Sequence, residues 1–413
     1  MKILVTLLII ITIFYIIFHT LKYVFRHTTK TTKYYFKNNQ KIVDIPQIVT
    51  TQFTEYKKLY PSAKITEFRS FNPSVFSYNN KFYYTLRVTN ANYCANKNRI
   101  QNYVLNHQVT ISFVVILSSE GNIIEIYAPE LFNELQGDCY SIGFEDARPI
   151  VFNDKLYLVT SKRNESHQCT PKMHLIEISL KDYDLDTVKV IDKYRVIPLE
   201  SPFNDSKPEK NWMPFVYSAN TTIDNTQNST GSSLCFVYSV KPHKIIQCGI
   251  VDDISGNTGS DINIGNDNGG NKTDGGKCIA HWSTDSDIVP RGLRGSSQVI
   301  KIKLPVGYTD PTFGALEYAY MCLVHKRSIS VITIYGMYTS NFVLFKSTPP
   351  FNIIKVGPEF TFDTLVDEKY SQIEFTSGLA IDANENLYIT YGLNDCHAKL
   401  CIVPLSVVMS SMF

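Results

Sequence analysis

The feature that most restricts the fold of this chain is a hairpin pattern that recurs five times after residue 60. Each copy opens with a short polar segment, enters an apolar strand, turns, and returns as a second strand with aromatic residues. The openings are Asn72-Pro73-Ser74, Asp146-Ala147-Arg148, Asn211-Trp212-Met213, Ser296-Ser297 and Ser377-Gly378. They lie 65 to 85 residues apart, which is room for about four strands of ordinary length. The pattern predicts an all-β fold, a five-bladed β-propeller over residues 60–413. A two-sheet sandwich is the alternative, although it would not need five similar openings.

The composition limits the class of protein. The chain has 413 residues, a formal net charge of +2, 44% apolar residues and 13% aromatic residues. This apolar content is too high for a disordered chain, and the balanced charge argues against a nucleic-acid binder that works through a basic surface. Two polar, low-complexity tracts near 218–233 and 254–277 are predicted to be solvated loops inserted in the propeller.

The N-terminus predicts a membrane anchor. Residues 1–26 are assigned to a transmembrane signal-anchor, because a helix from Ile3 to Phe25 would be about 34 Å long and could cross a bilayer. A cleaved signal peptide is the alternative, but the small residues that mark its cleavage site are missing. Residues 27–59 are predicted to be a polar stem.

Two sets of signals conflict over the orientation of this anchor. Lysine and arginine are more numerous after it than before it, which favours a cytosolic body. Nine cysteines and five glycosylation sequons favour a lumenal body; the sequons begin at Asn164, Asn204, Asn220, Asn228 and Asn271. We expect a single-pass type II membrane protein that faces the lumen of the Golgi or the endoplasmic reticulum.

The cysteines form no C-x-x-C pair, so neither a zinc ribbon nor a thioredoxin-like motif is expected. We predict one or two disulfides together with buried thiols, and at least one unpaired cysteine because the number is odd. His397 lies between Cys396 and Cys401, which leaves a metal site as the alternative there. The two D-x-D patterns within 182–186 are interpreted as surface turns. No metal site and no cofactor are predicted.

The predicted propeller brings the polar openings together, because equivalent strand ends of every blade converge on the central axis. At the base of such a funnel, burial would raise the pKa of Asp146 and suit it to general acid catalysis. Arg148 offers a planar fork for phosphate or carboxylate, although an Asp–Arg ion pair between blades would explain the same residues. Further candidates for this funnel are Asn72, Arg87, Asn211 and Asp395 for substrate, and Lys210, His243 and Arg294 for phosphate or nucleotide. Trp212 is expected to stack on a sugar or to lie in the core.

The ordered segments NPS, EDAR, EKNW, RGSS and YGLND resemble the motifs of five-bladed propeller enzymes that act on β-mannosides. These are the phosphorylases and hydrolases of glycoside hydrolase family 130 and related eukaryotic mannosyltransferase/phosphorylases; the resemblance covers about Phe71 to Val408. It implies that Asp146 is the proton donor and that Asn72 and Asp395 hold the sugar. It also implies that Arg148 and Lys210, with His243, line the phosphate region. Ala147 replaces the family's usual proline.

The predicted anchor helps to choose among reactions. A sequon-bearing membrane protein suits glycan synthesis in the secretory pathway, so we expect an inverting glycosyltransferase, mannosyltransferase-like, with Asp146 as the base for the acceptor hydroxyl. The alternatives are a mannoside phosphorylase or glycoside hydrolase on the same site, and a glycan-binding propeller without activity. The expected partners are a glycan acceptor, a sugar nucleotide or phosphate, and the membrane through the N-terminal helix; no nucleic acid is expected.

Overall fold

The computed structural model describes residues 11–19, 39–46, 69–78, 81–89, 108–118, 121–129, 139, 141–164, 168–178, 188–191, 194–203, 208–218, 232–250, 276–329, 336–362 and 373–413. Within these ranges the chain is mostly β-strand, which confirms the prediction of a β-rich protein. Two segments are helical, residues 11–19 (α1) and Leu405–Met412 (α2). Neither is both long and apolar enough to cross a bilayer.

Most strands pair in five consecutive antiparallel sets, which we number in chain order. Set 1 contains β2 (Arg69–Tyr78), β3 (Lys81–Thr89), β4 (Gln108–Leu117) and β5 (Ile123–Pro129). Set 2 contains β6 (Ser141–Phe152), β7 (Lys155–Asn164), β8 (Thr170–Ile178) and β10 (Tyr194–Glu200). Set 3 contains β11 (Met213–Ser218), β12 (Ser232–Ser239), β13 (His243–Gly249) and β14 (Gly276–Thr284).

The last two sets depart slightly from this plan. In set 4 the first strand is in two pieces, β15 (Leu293–Gly295) and β16 (Ile300–Lys303), followed by β19 (Tyr318–Ile329), β20 (Gly336–Lys346) and β21 (Ile353–Val356). Set 5 contains β22 (Glu374–Ile381), β23 (Asn386–Leu393), β24 (His397–Pro404) and, at its outer edge, β1 (Lys41–Ile45). Outside the sets, β9 (Val188–Ile191) pairs with β5, and β17 (Thr309–Asp310) and β18 (Gly314–Ala315) form a short hairpin.

The five predicted openings lie at the first strand of each set, as the recurring hairpin pattern indicates. The turn predicted at Asn153-Asp154 is also present. Asn153 and Asp154, between β6 and β7, have φ values of +50° and +57°, the conformation that a two-residue type I′ turn requires. Asn and Asp tolerate it better than other residues with a side chain, which explains why the sequence places them there.

Five apolar clusters fill the space between neighbouring sets and contain most of the core. Each cluster contains buried residues of two neighbouring sets. In order from sets 1 and 2 round to sets 5 and 1, examples are Phe76 and Leu158, Tyr157 and Trp212, Phe215 and Tyr320, Leu323 and Ile389, and Leu400 and Val75. Because the last cluster joins set 5 back to set 1, the sets surround a common centre.

Hydrogen bonds across that centre connect the first strands of different sets. The Gln298 side-chain oxygen, in set 4, accepts from the Ser74 hydroxyl of set 1 at 3.2 Å and from the Leu379 backbone N–H of set 5 at 3.4 Å. The Ser377 hydroxyl donates to the Pro73 carbonyl at 2.6 Å, which joins sets 5 and 1. The openings are therefore neighbours in space although they are far apart in sequence.

The strand β1 corrects the predicted stem. It lies within residues 27–59, yet it pairs along its whole length with β24, and its Val43 and Ile45 are buried. This strand is short and its sequence, Lys41 to Ile45, does not alternate strictly between apolar and polar residues, so it gives only a weak strand signal. The rest of the predicted stem and anchor, both low-complexity tracts and the sequons at Asn204, Asn220, Asn228 and Asn271 lie largely or wholly outside the described residues. Asn164 ends β7.

The cysteines form more disulfides than predicted. Cys139 bonds to Cys169, Cys248 bonds to Cys278, and Cys396 is also disulfide-bonded. Three cysteines are buried free thiols: Cys235, Cys322 and Cys401. Since Cys396 is in a disulfide, the alternative of a metal site around His397 loses one of its ligands.

Candidate active site

Three of the openings share one backbone conformation. Asn72, Asp146 and Asn211 have φ values of +46°, +53° and +67°, in the left-handed region that Asn and Asp adopt more readily than most residues. At Asn72 the register of β2 with β3 shifts, and at Asp146 that of β6 with β7 shifts in the same way. Such bulges turn a side chain away from its strand face, and they let these two side chains meet.

The carboxylate of Asp146 accepts its hydrogen bonds from the described residues on only one of its two oxygens, Oδ1. Its Oδ1 accepts a hydrogen bond from Asn72 Nδ2 at 3.0 Å and another from Arg87 Nη1 at 3.0 Å. No hydrogen bond from the described residues reaches Oδ2. The side chain is 13% exposed, so it can be reached from solvent. The structure thus brings together three predicted site residues and leaves one carboxylate oxygen available for a substrate.

The predicted rise in the Asp146 pKa is wrong. Burial does act to raise it, but the positive charge of Arg87 and the hydrogen bond from Asn72 oppose burial, and the charges of Arg148 and Lys210 add to them. The net effect lowers the pKa of Asp146 below its ordinary value. The predicted rise rested on burial, whereas the fold surrounds this carboxylate with cations. At neutral pH Asp146 is ionised and can accept a proton.

Arg148 is a buried cation whose hydrogen bonds all go to neutral groups. Its side chain is 1% exposed. Nη2 donates to Asn211 Oδ1 at 3.1 Å, Nη1 donates to the Asp146 carbonyl at 3.2 Å, and Nε donates to the Ser296 carbonyl. Burial lowers its pKa to about 10, with partial opposition from the charge of Asp146. The guanidinium therefore stays charged, and it joins the openings of sets 2, 3 and 4.

His325 marks the place where three cations converge. Its Nδ1 lies 2.9 Å from the Ser296 hydroxyl oxygen, and its ring is almost fully buried. Burial lowers its pKa to about 3, and three nearby cations act in the same direction: Arg148, Arg294 and Lys210. The imidazole is consequently neutral. Lys210 and Arg294 are exposed, so the surface beside the buried Arg148 carries two further positive charges.

His243 does not belong to this cluster, contrary to the prediction. It begins β13 in set 3, its ring is buried against that of Phe345 at 5.1 Å, and burial lowers its pKa to about 4. A neutral imidazole packed among aromatic rings cannot bind phosphate as a cation. Its position near the end of a strand suggested a funnel residue, but the side chain faces the core between sets 3 and 4.

Trp212 resolves the alternative that the sequence left open. It is fully buried and packs against the rings of Phe236 at 5.7 Å and Tyr238 at 5.5 Å. The indole is therefore part of the core between sets 2 and 3 rather than a platform for a sugar.

Asp395 lies in the turn between β23 and β24, with φ of +52° and a half-buried side chain. That turn is at the end of set 5 where β22 begins. The preceding Gly392 touches the Asn72 side chain: a Cβ at this glycine would lie 1.8 Å from Asn72 Oδ1. The YGLND segment thus meets the first opening, while a role of Asp395 in holding a sugar stays a prediction.

Glu145 was not predicted to have a role, although the sequence shows it beside Asp146. Its Oε1 lies 3.4 Å from Arg87 Nη2 and accepts from the Ser141 hydroxyl at 3.0 Å. A second acid directly before the candidate catalytic acid was the available signal. Within the parts of the chain described above, no group of three or more His, Cys, Asp and Glu side chains could hold a metal ion. The D-x-D patterns at 182–186 lie outside those parts.

Comparison with known proteins gives only structural similarities. No family model and no curated protein sequence matches the chain. Among solved structures, the chain is similar to a mannose phosphorylase from Leishmania mexicana in complex with phosphate ion, with 10% identity, a TM-score of 0.43, and coverage of 88% of this chain and 94% of that one. It is also similar to a β-1,2-mannobiose phosphorylase from Listeria innocua, with 13% identity, a TM-score of 0.44, and coverage of 84% of this chain and 93% of that one. A third similar structure is a GDP-Man-dependent mannosyltransferase from Leishmania mexicana, with 10% identity, a TM-score of 0.41, and coverage of 85% of this chain and 94% of that one. These neighbours are carbohydrate-active enzymes, but a similar fold does not by itself define an activity.

Proposed function

We propose that this chain is an inverting glycosyltransferase whose sugar donor carries a phosphate-bearing leaving group, with Asp146 as the general base. In this proposal the five strand sets are the blades of a five-bladed propeller, and the cluster at their first strands is the active site. The observation that carries the proposal is the buried guanidinium of Arg148 beside an ionised carboxylate.

Arg148 supports an anion site because its guanidinium is buried and makes no direct ion pair with a carboxylate of the described residues. Its three hydrogen bonds go to two backbone carbonyls and an amide oxygen, and no carboxylate of the described residues lies within 4.0 Å of it. Burying a guanidinium whose hydrogen bonds all go to neutral groups is unfavourable, so this arrangement favours a bound anion that pairs with it directly. Lys210 and Arg294, which are exposed beside it, would contact such an anion directly.

The state of Asp146 favours transfer from an anionic leaving group. An ionised carboxylate can take the proton of an acceptor hydroxyl on Oδ2 while the acceptor oxygen attacks the anomeric carbon of the donor. The bond from that carbon to the phosphate oxygen breaks, and the phosphate group leaves with the electron pair towards the cations. A phosphate leaving group needs no proton from the enzyme. A glycosidic oxygen would need one, and the lowered pKa of Asp146 makes it a poor donor.

Phosphorolysis is the second candidate, because it is the same chemistry in reverse. Inorganic phosphate bound beside Arg148 would add negative charge near Asp146, which raises the pKa of a carboxylate and returns its ability to donate a proton. Mannose as the sugar, anchoring through residues 1–26 and a lumenal location are parts of the proposal that rest on the motif resemblance and on the N-terminal sequence.

The test uses the full chain, purified in detergent, with GDP-mannose and mannoside acceptors, in the presence and absence of phosphate. We expect the acceptor to gain one sugar with inverted anomeric configuration, and we expect Asp146→Asn to lose this activity. Asp44→Asn, a change at an exposed outer-strand carboxylate, is the matched control and should keep it. Shortening of the acceptor with release of mannose 1-phosphate would establish the phosphorylase instead. Turnover that survives in Asp146→Asn would refute the assigned base.

A further inference from the structure

The guanidinium of Arg87 is shared between two carboxylates. Nη1 donates to Asp146 Oδ1 at 3.0 Å, while Nη2 lies 3.4 Å from Glu145 Oε1 and 3.4 Å from the Thr110 hydroxyl oxygen. The side chain is 10% exposed, and its Cζ lies 5.1 Å from the centre of the Phe71 ring. Because the guanidinium is planar, a group that fixes Nη2 also fixes the direction in which Nη1 donates.

Glu145 is itself held from several sides. Its Oε1 accepts from the Ser141 hydroxyl at 3.0 Å and lies 4.0 Å from Arg163 Nε, and its backbone carbonyl accepts from the Thr160 hydroxyl at 2.7 Å. The side chain is buried. It therefore provides a fixed counter-charge for Arg87 and, unlike Asp146, has no described contact with the cations on the anion side of the site.

We propose that Glu145 is a positioning residue that acts on the base through Arg87. This inference rests on the function proposed above. Glu145 takes part of the positive charge of Arg87 and so limits how strongly that charge stabilises the ionised form of Asp146, and it aims Nη1 at Oδ1 so that Oδ2 remains free for the acceptor. The charged groups that face Asp146 are then balanced: Arg87 from β3 is partly neutralised by Glu145, while Arg148 of β6 and Lys210 act from the other side.

Replacing Glu145 by glutamine keeps an acceptor oxygen for Arg87 and Ser141 but removes the charge. Of the two carboxylates, only Asp146 then remains beside Arg87. Because the full charge of Arg87 now stabilises the ionised form of Asp146, Asp146 becomes a weaker base. We expect the acidic limb of the kcat–pH profile to move down by about half a pH unit or more and kcat to fall several-fold, while KM for the donor stays unchanged. Glu177→Gln, at the surface pair with Lys155 (3.1 Å), is the matched control and should leave both unchanged.

A second measurement tests the shared guanidinium without any enzymatic activity. Urea midpoints are compared for the wild-type chain, Glu145→Gln, Asp146→Asn and the double variant. When only Asp146 is replaced, Arg87 still has the Glu145 carboxylate beside it. When Glu145 is replaced as well, Arg87 loses both of these carboxylates, and a buried cation without either of them destabilises the fold. We expect the midpoint shift caused by Asp146→Asn to be at least twice as large in the Glu145→Gln background.

The outcomes separate this inference from the proposed function. If no turnover is found but the midpoint shifts are non-additive as expected, the charge sharing holds and the proposed transferase fails. If turnover is found but Glu145→Gln leaves the pH profile unchanged, or alters only KM for the donor, the positioning role is wrong. Equal midpoint shifts in the two backgrounds would also overturn it, because they would show that the two carboxylates do not depend on the same guanidinium.

Discussion

Replacing Arg148 gives the most direct test of the anion site. Arg148→Met removes the charge and keeps an apolar side chain of similar length, whereas Arg148→Lys keeps the charge and loses the fork. For two unit charges about 5 Å apart and an effective dielectric constant of about 20, Coulomb's law gives about 3 kcal/mol, or roughly a hundredfold in affinity. We therefore expect Arg148→Met to bind inorganic pyrophosphate roughly a hundredfold more weakly than the wild-type chain, and Arg148→Lys to lose about tenfold or less.

The same substitutions should also lower stability, for a different reason. Both leave Asn211 Oδ1 and the carbonyls of Asp146 and Ser296 without some or all of their present donor. An unsatisfied buried acceptor costs about 1–3 kcal/mol, and removing a buried charge that makes no direct ion pair offsets part of that cost in Arg148→Met. We expect a net loss of about 2–4 kcal/mol in each variant, measured by urea unfolding.

Isothermal titration calorimetry with inorganic pyrophosphate, at low ionic strength, measures the affinities. The control is Lys155→Met, at the exposed end of the surface pair with Glu177, which removes a charge of the same sign far from the site. The reasoning is refuted if Arg148→Met binds pyrophosphate as tightly as the wild-type chain, because the buried charge would then have no anion to stabilise. Equal losses in Arg148→Met and Arg148→Lys would show that hydrogen-bond geometry matters and charge does not.

Three other predictions follow from the site and its support. The pKa of Asp146 in the folded chain is lowered from its ordinary value of 3.8, so the ionised carboxylate stabilises the fold above pH 3.8, and this stabilisation is lost as the pH falls through the folded-state pKa. The urea midpoint should therefore fall more steeply with acid in the wild-type chain than in Asp146→Asn. Parallel curves for the two chains would contradict this. Gly392→Ala would place a Cβ 1.8 Å from Asn72 Oδ1, so we expect a loss of about 1–3 kcal/mol in unfolding free energy together with reduced turnover; an unchanged midpoint would show that Asn72 can move away at no cost. Trp212→Ala should cost about 3–5 kcal/mol as a core truncation and leave KM for the sugar acceptor unchanged in the folded fraction, whereas a raised KM would mean that the indole contacts substrate.

Much of the architecture was readable from local patterns. The five openings, the strand pairs that follow them and the turn at Asn153-Asp154 are set by alternation of apolar residues and by the few residue types that tolerate left-handed backbone, and both are properties of short segments. The same reasoning failed at β1, because five residues without strict alternation, flanked by polar sequence, give too weak a signal against the expectation of a stem. The location of that strand depends on β24, which lies more than 350 residues later.

For the candidate site, too, some features follow from local sequence and others only from the tertiary structure. The sequence by itself determined which polar residues lie in or beside the first strands, and the assumption that those strands converge was enough to group Asn72, Asp146 and Arg148. Only the tertiary structure decided what these groups do to each other. The protonation state of Asp146 depends on whether burial or the charge of Arg87 has the larger effect, and that is a matter of distances between side chains on different strands. Whether His243 meets the funnel or the core depends likewise on which neighbours pack around its ring. Local sequence specifies backbone conformation, whereas electrostatic energies and burial are set by residues that only folding brings within a few ångströms.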